Sequence, residues 1–228
     1  MKRKLKIEIG LAVLLLLIAL FGSFLAPYDP LKVNYDFSLQ PPSFLHIFGT
    51  DKLGRDVFSR ILCGAKTSFG LTFLMLFLIV FIGMIVGLIA GLSNDKVESF
   101  FNNIINGLLA FPDTIFAIAI VGIVGAGLFN TVFALALIWW IKYARLTLAL
   151  VKQEKKKNYL VISKMSGVPP LQRIIRYLLP NILSQILVTA FLDIGNMMIS
   201  LAGLSFLGLA SQPPQPEWGA MLYESKQF

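Results

Sequence analysis

The sequence predicts an all-α fold: one polytopic transmembrane helical bundle over 1–228, with about five spans. Three observations predict it. Of the residues, 57% are hydrophobic and only 14% charged, whereas a soluble domain carries about 25% charged residues. The apolar residues come in long uncharged runs, and about 20 in a row suffice to cross a bilayer as a helix. The lysines and arginines behind the net charge of +8 are gathered into short segments between those runs.

The first run, approximately 9–28, follows the basic MKRKLK. Cleavage after Ala26 would put Phe24 where a signal needs a small residue, and the run outlasts the ~7–15 residues of a signal core. It reads as an uncleaved anchor. The second run, 67–94, is free of charge and long enough to span with some tilt. The third and fourth, 100–124 and 128–150, share the stretch Ser99–Ile141, which is too long for one helix. Gly125-Ala126-Gly127 interrupts it, and Asp113 is its single charge. A fifth run covers 178–209 around Asp193, after which the chain turns polar and proline-rich.

Orientation follows from Lys and Arg in short loops. The tail Met1–Glu8 holds four, and Lys142–Tyr177 holds nine (Lys142, Arg145, Lys152, Lys155, Lys156, Lys157, Lys164, Arg173 and Arg176) against Glu154 alone. With five spans both fall on one side, so the N-terminus and 151–177 are expected in the cytoplasm, with 29–66 and 210–228 outside. The positive charge is then a topology signal in contact with the lipid bilayer, and no nucleic acid partner is needed to explain it. In the second run Gly83, Gly87 and Gly91 recur every four residues, a spacing that lets helices pack backbone to backbone. Packing within the chain is the simpler use; contact with a partner membrane subunit is the other.

Between the fourth and fifth runs lies MSGVPPLQRIIRYLLP, at 165–180. Tyr159–Ser166 reads as a short helix, and Gly167 stands where a helix stops on a left-handed residue. Pro169-Pro170 cannot continue a helix but can begin one. Leu171, Ile174, Ile175 and Leu178 then share one helical face, with Gln172, Arg173 and Arg176 pointing elsewhere and Pro180 opening the last span. The pattern suits a helix lying in the headgroups, and equally a rigid element that docks on a cytoplasmic partner.

With this basic loop, two further stretches resemble a known family. GTDKLGRDVFSR at Gly49–Arg60 is similar to the external signature of ATP-binding-cassette importers for dipeptides, oligopeptides and nickel, and LSFLGLASQPPQPEWG at Leu204–Gly219 is similar to their signature after the fifth span. The chain is identified as a permease subunit of that group, most similar to the nickel permease C subunit. The resemblance implies a coupling loop that seats on an ATPase through Gly167, Pro169, Leu171, Arg173, Ile174, Arg176 and Pro180. It implies a second permease subunit, two cytoplasmic ATPase subunits that carry the ATP, an extracytoplasmic substrate-binding protein, and location in a bacterial inner membrane. Two departures stand out. The family's Glu-Ala-Ala is replaced by Val161-Ile162-Ser163. The family also continues past PEWG into one more helix, whereas this sequence stops at Gln227-Phe228, so an inactive shortened permease is one expectation.

Nickel is the expected substrate, because LDIGNMM and WWIKYARL look like the nickel permeases; a dipeptide or oligopeptide is the alternative. Asp113 and Asp193 are candidates for the translocation path, since a carboxylate among apolar residues costs ~2.5–3.5 kcal/mol on insertion scales and seeks a cavity or partner. Trp218, of a residue type enriched at interfaces, is the candidate contact for the binding protein. Met197 and Met198 read as packing, and no metal ligand is assigned. His46 reads as a solvated loop residue, and GTDKLGRDVFSR as a short surface helix with internal ion pairs.

The chain itself is not expected to be an enzyme, and no catalytic residue is assigned. It contains no GxxxxGK[ST] to cradle ATP, so no cofactor is expected on this chain. A single cysteine and a single histidine exclude CxxC and HExxH sites. An ion-gradient transporter, a weaker alternative, would show inverted repeats and paired broken helices, and none is evident.

Overall fold

The computed structural model describes residues 2–211 and 214–226, whose ordered elements are helices without a β-strand. The all-α class holds. Gln212-Pro213 of the proline-rich signature and the terminal Gln227-Phe228 lie outside the described residues.

Helix α1 (Lys2–Leu25) carries the first apolar run. A loop with one 3₁₀ turn at Tyr35–Phe37 leads to α2 (Val57–Leu92), which at 36 residues is about 54 Å long. Asn94 caps α3 (Asp95–Leu109), its side chain accepting from the Val97 N–H at 3.0 Å. Next comes α4 (Asp113–Val124), bent by 87° relative to α3. The segment 100–124, expected as one span, is therefore a broken pair. Pro112 sits at the break, and proline both lacks the N–H and pushes its predecessor out of helical geometry.

Helix α5 (Leu128–Lys155) follows, then α6 (Asn158–Met165) and α7 (Pro170–Arg173). A π turn at Ile174–Leu178 connects α7 directly to α8 (Leu179–Phe206), and α9 (Trp218–Ser225) ends the described chain. Pro180 thus does not open a separate helix: the last apolar helix runs unbroken over Pro170–Phe206. The π turn accounts for this. The Leu179 N–H reaches back five residues to the Ile174 carbonyl, a widened turn just where the next residue has no donor to offer.

Among the described residues four helices are long and apolar enough to cross a membrane, and counting the bent pair as one span raises the number to five. The chain divides into two compact units. The first comprises Met1–Phe73, Val124–Thr131 and Met198–Phe228. In it Ala19, Ala65 and Phe69 form a buried cluster flanked by Ile18, Met198 and Trp218. Gly22 of α1 lies against the Leu62 backbone of α2, so close that a Cβ would stand 2.7 Å from the Leu62 oxygen. The Gly127 N–H and the Thr131 hydroxyl both donate to the Leu209 carbonyl, at 3.0 and 3.1 Å, joining the start of α5 to the end of α8.

The second unit comprises Leu74–Ile123 and Val132–Met197. Here the glycine stripe of α2 meets α5. A Cβ on Gly83 or Gly87 would stand 2.5 Å from the Cβ of Tyr143 or Thr147, and one on Gly91 would stand 2.8 Å from Val151. The stripe is occupied within the chain, the simpler of its two expected uses. Ile105, Ile141 and Ala144 add a buried cluster with Val86, Leu108 and Trp140.

Candidate functional site

Three groups of polar residues stand out from the apolar helices, each within one unit. The first is the knuckle after α5. Glu154 is buried and accepts from Lys157 Nζ at 2.6 Å and from the Tyr159 hydroxyl. This clasp fixes the turn from α5 into α6. Burial, reinforced by the bond to Glu154, pushes the Tyr159 hydroxyl pKa up to about 12, so it remains a donor at physiological pH. Gly167 ends α6 with φ +74°. The Val168 N–H bonds the Ser163 carbonyl and the Gly167 N–H bonds Lys164, at 3.1 and 3.2 Å, the paired bonds of a Schellman stop. Pro169 is the N-cap of α7.

The turn presents an unusual surface. Met165 is 83% exposed and Leu171 68%, with Ile162 and Ile175 also exposed. Arg176 and Pro180 are exposed as well, while Ile174 and Arg173 are half-buried. The structure therefore brings Gly167, Pro169, Leu171, Arg173, Ile174 and Arg176 together around one stiff corner. Pro180 stands further on, in the first turn of α8.

The second group lies near the middle of α5 and α8. Asp193 is buried and accepts from both sides: Lys142 Nζ reaches its two oxygens at 2.8 and 2.7 Å, and the Tyr143 hydroxyl donates at 2.9 Å. The Lys142 side chain is 51% exposed. Lys142 and Arg145, counted with the loop's basic residues although they fall in the expected 128–150 span, lie within α5, leaving seven basic residues in its last turns and beyond. The signal available was the apolar WWI before Lys142. Asp113, by contrast, is exposed in the first turn of α4, where the helix dipole favours a carboxylate. The structure does not bring it to Asp193.

The third group joins the loop after α1 to α9. Arg55 Nε bonds Asp51 Oδ2 and Arg55 Nη2 bonds Glu224 Oε2, both at 2.7 Å. Arg60 Nη1 donates to the same two carboxylates. Both arginines are buried. Burial works against ionising Asp51, but the backbone N–H and guanidinium of Arg55 outweigh it and hold the carboxyl below its ordinary value. Residues 49–56 are not the expected surface helix. They form a loop turned on left-handed Gly49 and Gly54 and closed by a bridge between Thr50 and Asp56. A Cβ on Gly54 would strike the Asn34 carbonyl, so a glycine is required there. Asp56 then caps α2 through the Ser59 N–H at 2.8 Å.

His46 is not solvated either. Its Nδ1 lies 2.9 Å from Asp56 Oδ1, and its ring packs on Tyr28. Trp218, expected to meet a partner, is committed inside its own unit. Its indole N–H donates to the Ile61 carbonyl at 3.0 Å, and its ring meets Phe69 edge-on at 5.7 Å. Glu217 caps α9, accepting from the Gly219 and Ala220 N–H groups at 2.9 Å. The role of Glu224 was not visible in sequence, because its partners Arg55 and Arg60 lie 169 and 164 residues away.

Residues 83–226 match the family of binding-protein-dependent transport system inner membrane components. Residues 9–42 match the N-terminal TM domain of oligopeptide transport permease C. The chain is 39% identical over 227 residues to the di/tripeptide transport system permease protein DppC of Pseudomonas aeruginosa (strain UCBPP-PA14), covering 96% of this chain and 75% of that protein. It is 34% identical over 215 residues to the nickel transport system permease protein NikC of Escherichia coli (strain K12), with 94% and 78% covered. To the glutathione transport system permease protein GsiD of Shigella flexneri serotype 5b (strain 8401) it is 39% identical over 215 residues, with 94% and 71% covered. A multi-pass inner-membrane chain with these helices and these relatives belongs to the binding-protein-dependent transport system inner membrane components, as an ABC-importer permease of the dipeptide/nickel group.

Proposed function

We propose that the chain forms half of a translocation path, paired with a second permease and supplied by an extracytoplasmic binding protein. Two cytoplasmic ATPases bind the ATP and push on the knuckle. The observation that carries this is the knuckle's geometry: a Schellman stop at Gly167 and a proline start at Pro170 hold Met165 and Leu171 out of the chain's own core. Five crossings with the N-terminus in the cytoplasm are supported by counting the bent α3–α4 pair as one span and by the basic residues of 1–8 and 151–177. The contact with a binding protein would fall on the external segments 29–66 and 210–228, where Phe44 is fully exposed and Trp218 partly so.

The charge pattern favours a short peptide as substrate over a bare nickel ion. Lys142 and Asp193 neutralise each other, so the pair offers a bare cation no free carboxylate, while the third N–H of the half-exposed ammonium is open to an oxygen acceptor such as a peptide carbonyl or carboxylate. A half-exposed ammonium near the middle of a span favours facing an aqueous path or a partner over lipid. Of the relatives named above, one carries di/tripeptide in its name and another glutathione. Nickel retains the support of LDIGNMM, of WWIKYARL and of the NikC relative, and as an anionic chelate it would meet the same ammonium. Uptake of radioactive nickel and of labelled dipeptide, in cells with and without the chain, decides between them. Loss of dipeptide uptake alone supports the first reading; loss of nickel uptake alone replaces it with the second.

A further inference from the structure

The ends of three spans border a half-open cavity of about 570 Å³ whose wall includes Leu92, Lys155, Leu160, Lys164, Arg173 and Ile174. Leu92 is the last residue of α2 and Lys155 the last of α5, while Arg173 precedes the π turn that leads into α8. The charge on this wall is of one sign. Three cations line it and no carboxylate does. Lys155 donates to the Gly91 carbonyl at 3.0 Å. Among the described residues, Lys164 and Arg173 have no ion-pair partner, since nearby Glu154 is held by Lys157 and Tyr159. Arg173 Nε is buried without a hydrogen-bond partner, and a buried guanidinium donor left unpaired is costly.

We propose that this cavity holds the phosphate of an anionic glycerophospholipid, with Arg173 and Lys164 on the phosphate oxygens and Leu92, Leu160 and Ile174 against the glycerol and upper acyl carbons. A guanidinium fork matches phosphate geometry. Basic pockets between spans on the cytoplasmic side are the places where lipid headgroups seat. A cavity walled by both leucines and cations suits a headgroup joined to hydrocarbon better than a free anion. The inference rests on the reading that 151–177 faces the cytoplasm. Its test reads lipid retention without transport, so the two can fail separately.

The assembled complex is exchanged into nanodiscs of equal phosphatidylglycerol and phosphatidylcholine, released into detergent, and its retained lipids are weighed by native mass spectrometry. The wild type is expected to keep phosphatidylglycerol over phosphatidylcholine by roughly tenfold, and R173Q with K164Q to lose that preference. R173K, which keeps the charge without the fork, should retain part of it, and K156Q, outside the cavity wall, should retain all of it. Equal retention by wild type and the double variant overturns the proposal. So does displacement of the lipid by millimolar inorganic phosphate, which would make this a site for the free anion.

Discussion

The loop–α9 cluster and the knuckle after α5 both concentrate charge, and they use it in opposite ways. In the first, two arginines and two carboxylates neutralise one another out of water. In the second, cations outnumber acids, and the apolar side chains beside them stand exposed. A balanced, buried set spends its interactions inside the chain and resists change. An unbalanced, exposed set leaves its interactions for something that comes to meet it. The substitutions below test that distinction, in order of expected effect on stability.

The largest effect should come from the balanced set. Glu224→Ala leaves Arg55 and Arg60 with Asp51 alone, and breaking a buried pair by removing one partner costs about 3–5 kcal/mol. Thermal unfolding of the purified complex should show a fall of several degrees, while Lys156→Ala, on the exposed side of the comparison, should leave it unchanged. Acid should act on the same set. Because Asp51 is held below its ordinary carboxyl value when folded, its contribution is complete above the unfolded value near ~3.9 and declines as pH falls through the lower folded value. An acid titration of stability should therefore steepen below about pH 4, and Asp51→Asn should flatten it. A flat wild-type curve would mean that the cluster does not hold the loop.

Next in size is the contact of α2 with α5. Gly87→Val forces a side chain into Thr147 and the Ala144 carbonyl, and overpacking of this kind costs about 1–3 kcal/mol or more. Gly70 lies on the same helix with nothing within 4 Å of its missing Cβ, so Gly70→Val should fold normally. If the two variants melt together, the close approach read from the glycine stripe is wrong.

These contrasts also show what a sequence discloses. The glycine stripe, the left-handed stop at Gly167 and the long apolar helices are periodic or local, and they could be read from spacing alone. The break before Asp113 is also local, since Pro112 stands in plain view, but length and hydropathy over 100–124 do not disclose the 87° bend between α3 and α4. The arginine–carboxylate set could not be read. Glu224 lies 164 residues from Arg60, and nothing near either residue announces the other. The role of Lys142 is hidden for a related reason: its partner, Asp193, lies 51 residues away.

Lys142 and Asp193 fall between the two regimes, since the pair is closed on one side and half-exposed on the other. Lys142→Met leaves Asp193 with only Tyr143, and the stability cost should be about 1–3 kcal/mol. Lys142→Met with Asp193→Asn removes both charges and should recover much of that stability, a non-additivity expected of direct partners. Uptake sharpens the reading further. If the pair only joins α5 to α8, the double variant should transport as well as it folds. If Lys142 meets substrate, uptake should stay low while the melting temperature returns.

The smallest effect on stability belongs to the knuckle. Leu171→Ala removes an exposed side chain, and such changes usually shift stability by less than about 0.5 kcal/mol. Its melting curve should overlie that of the wild type. Yet Leu171 and Met165 are the apolar residues most exposed at this corner, and a docked partner that buries one leucine gains about 1.5–3 kcal/mol from it. Retention of the ATPase subunits on the purified membrane part should therefore fall by roughly tenfold or more, with Ile175→Ala as a comparison on the turn that follows. If ATPase retention is unchanged while stability is unchanged too, the corner's apolar face belongs to the lipid surface rather than to a partner. Its balance of charge would then be read as membrane anchoring.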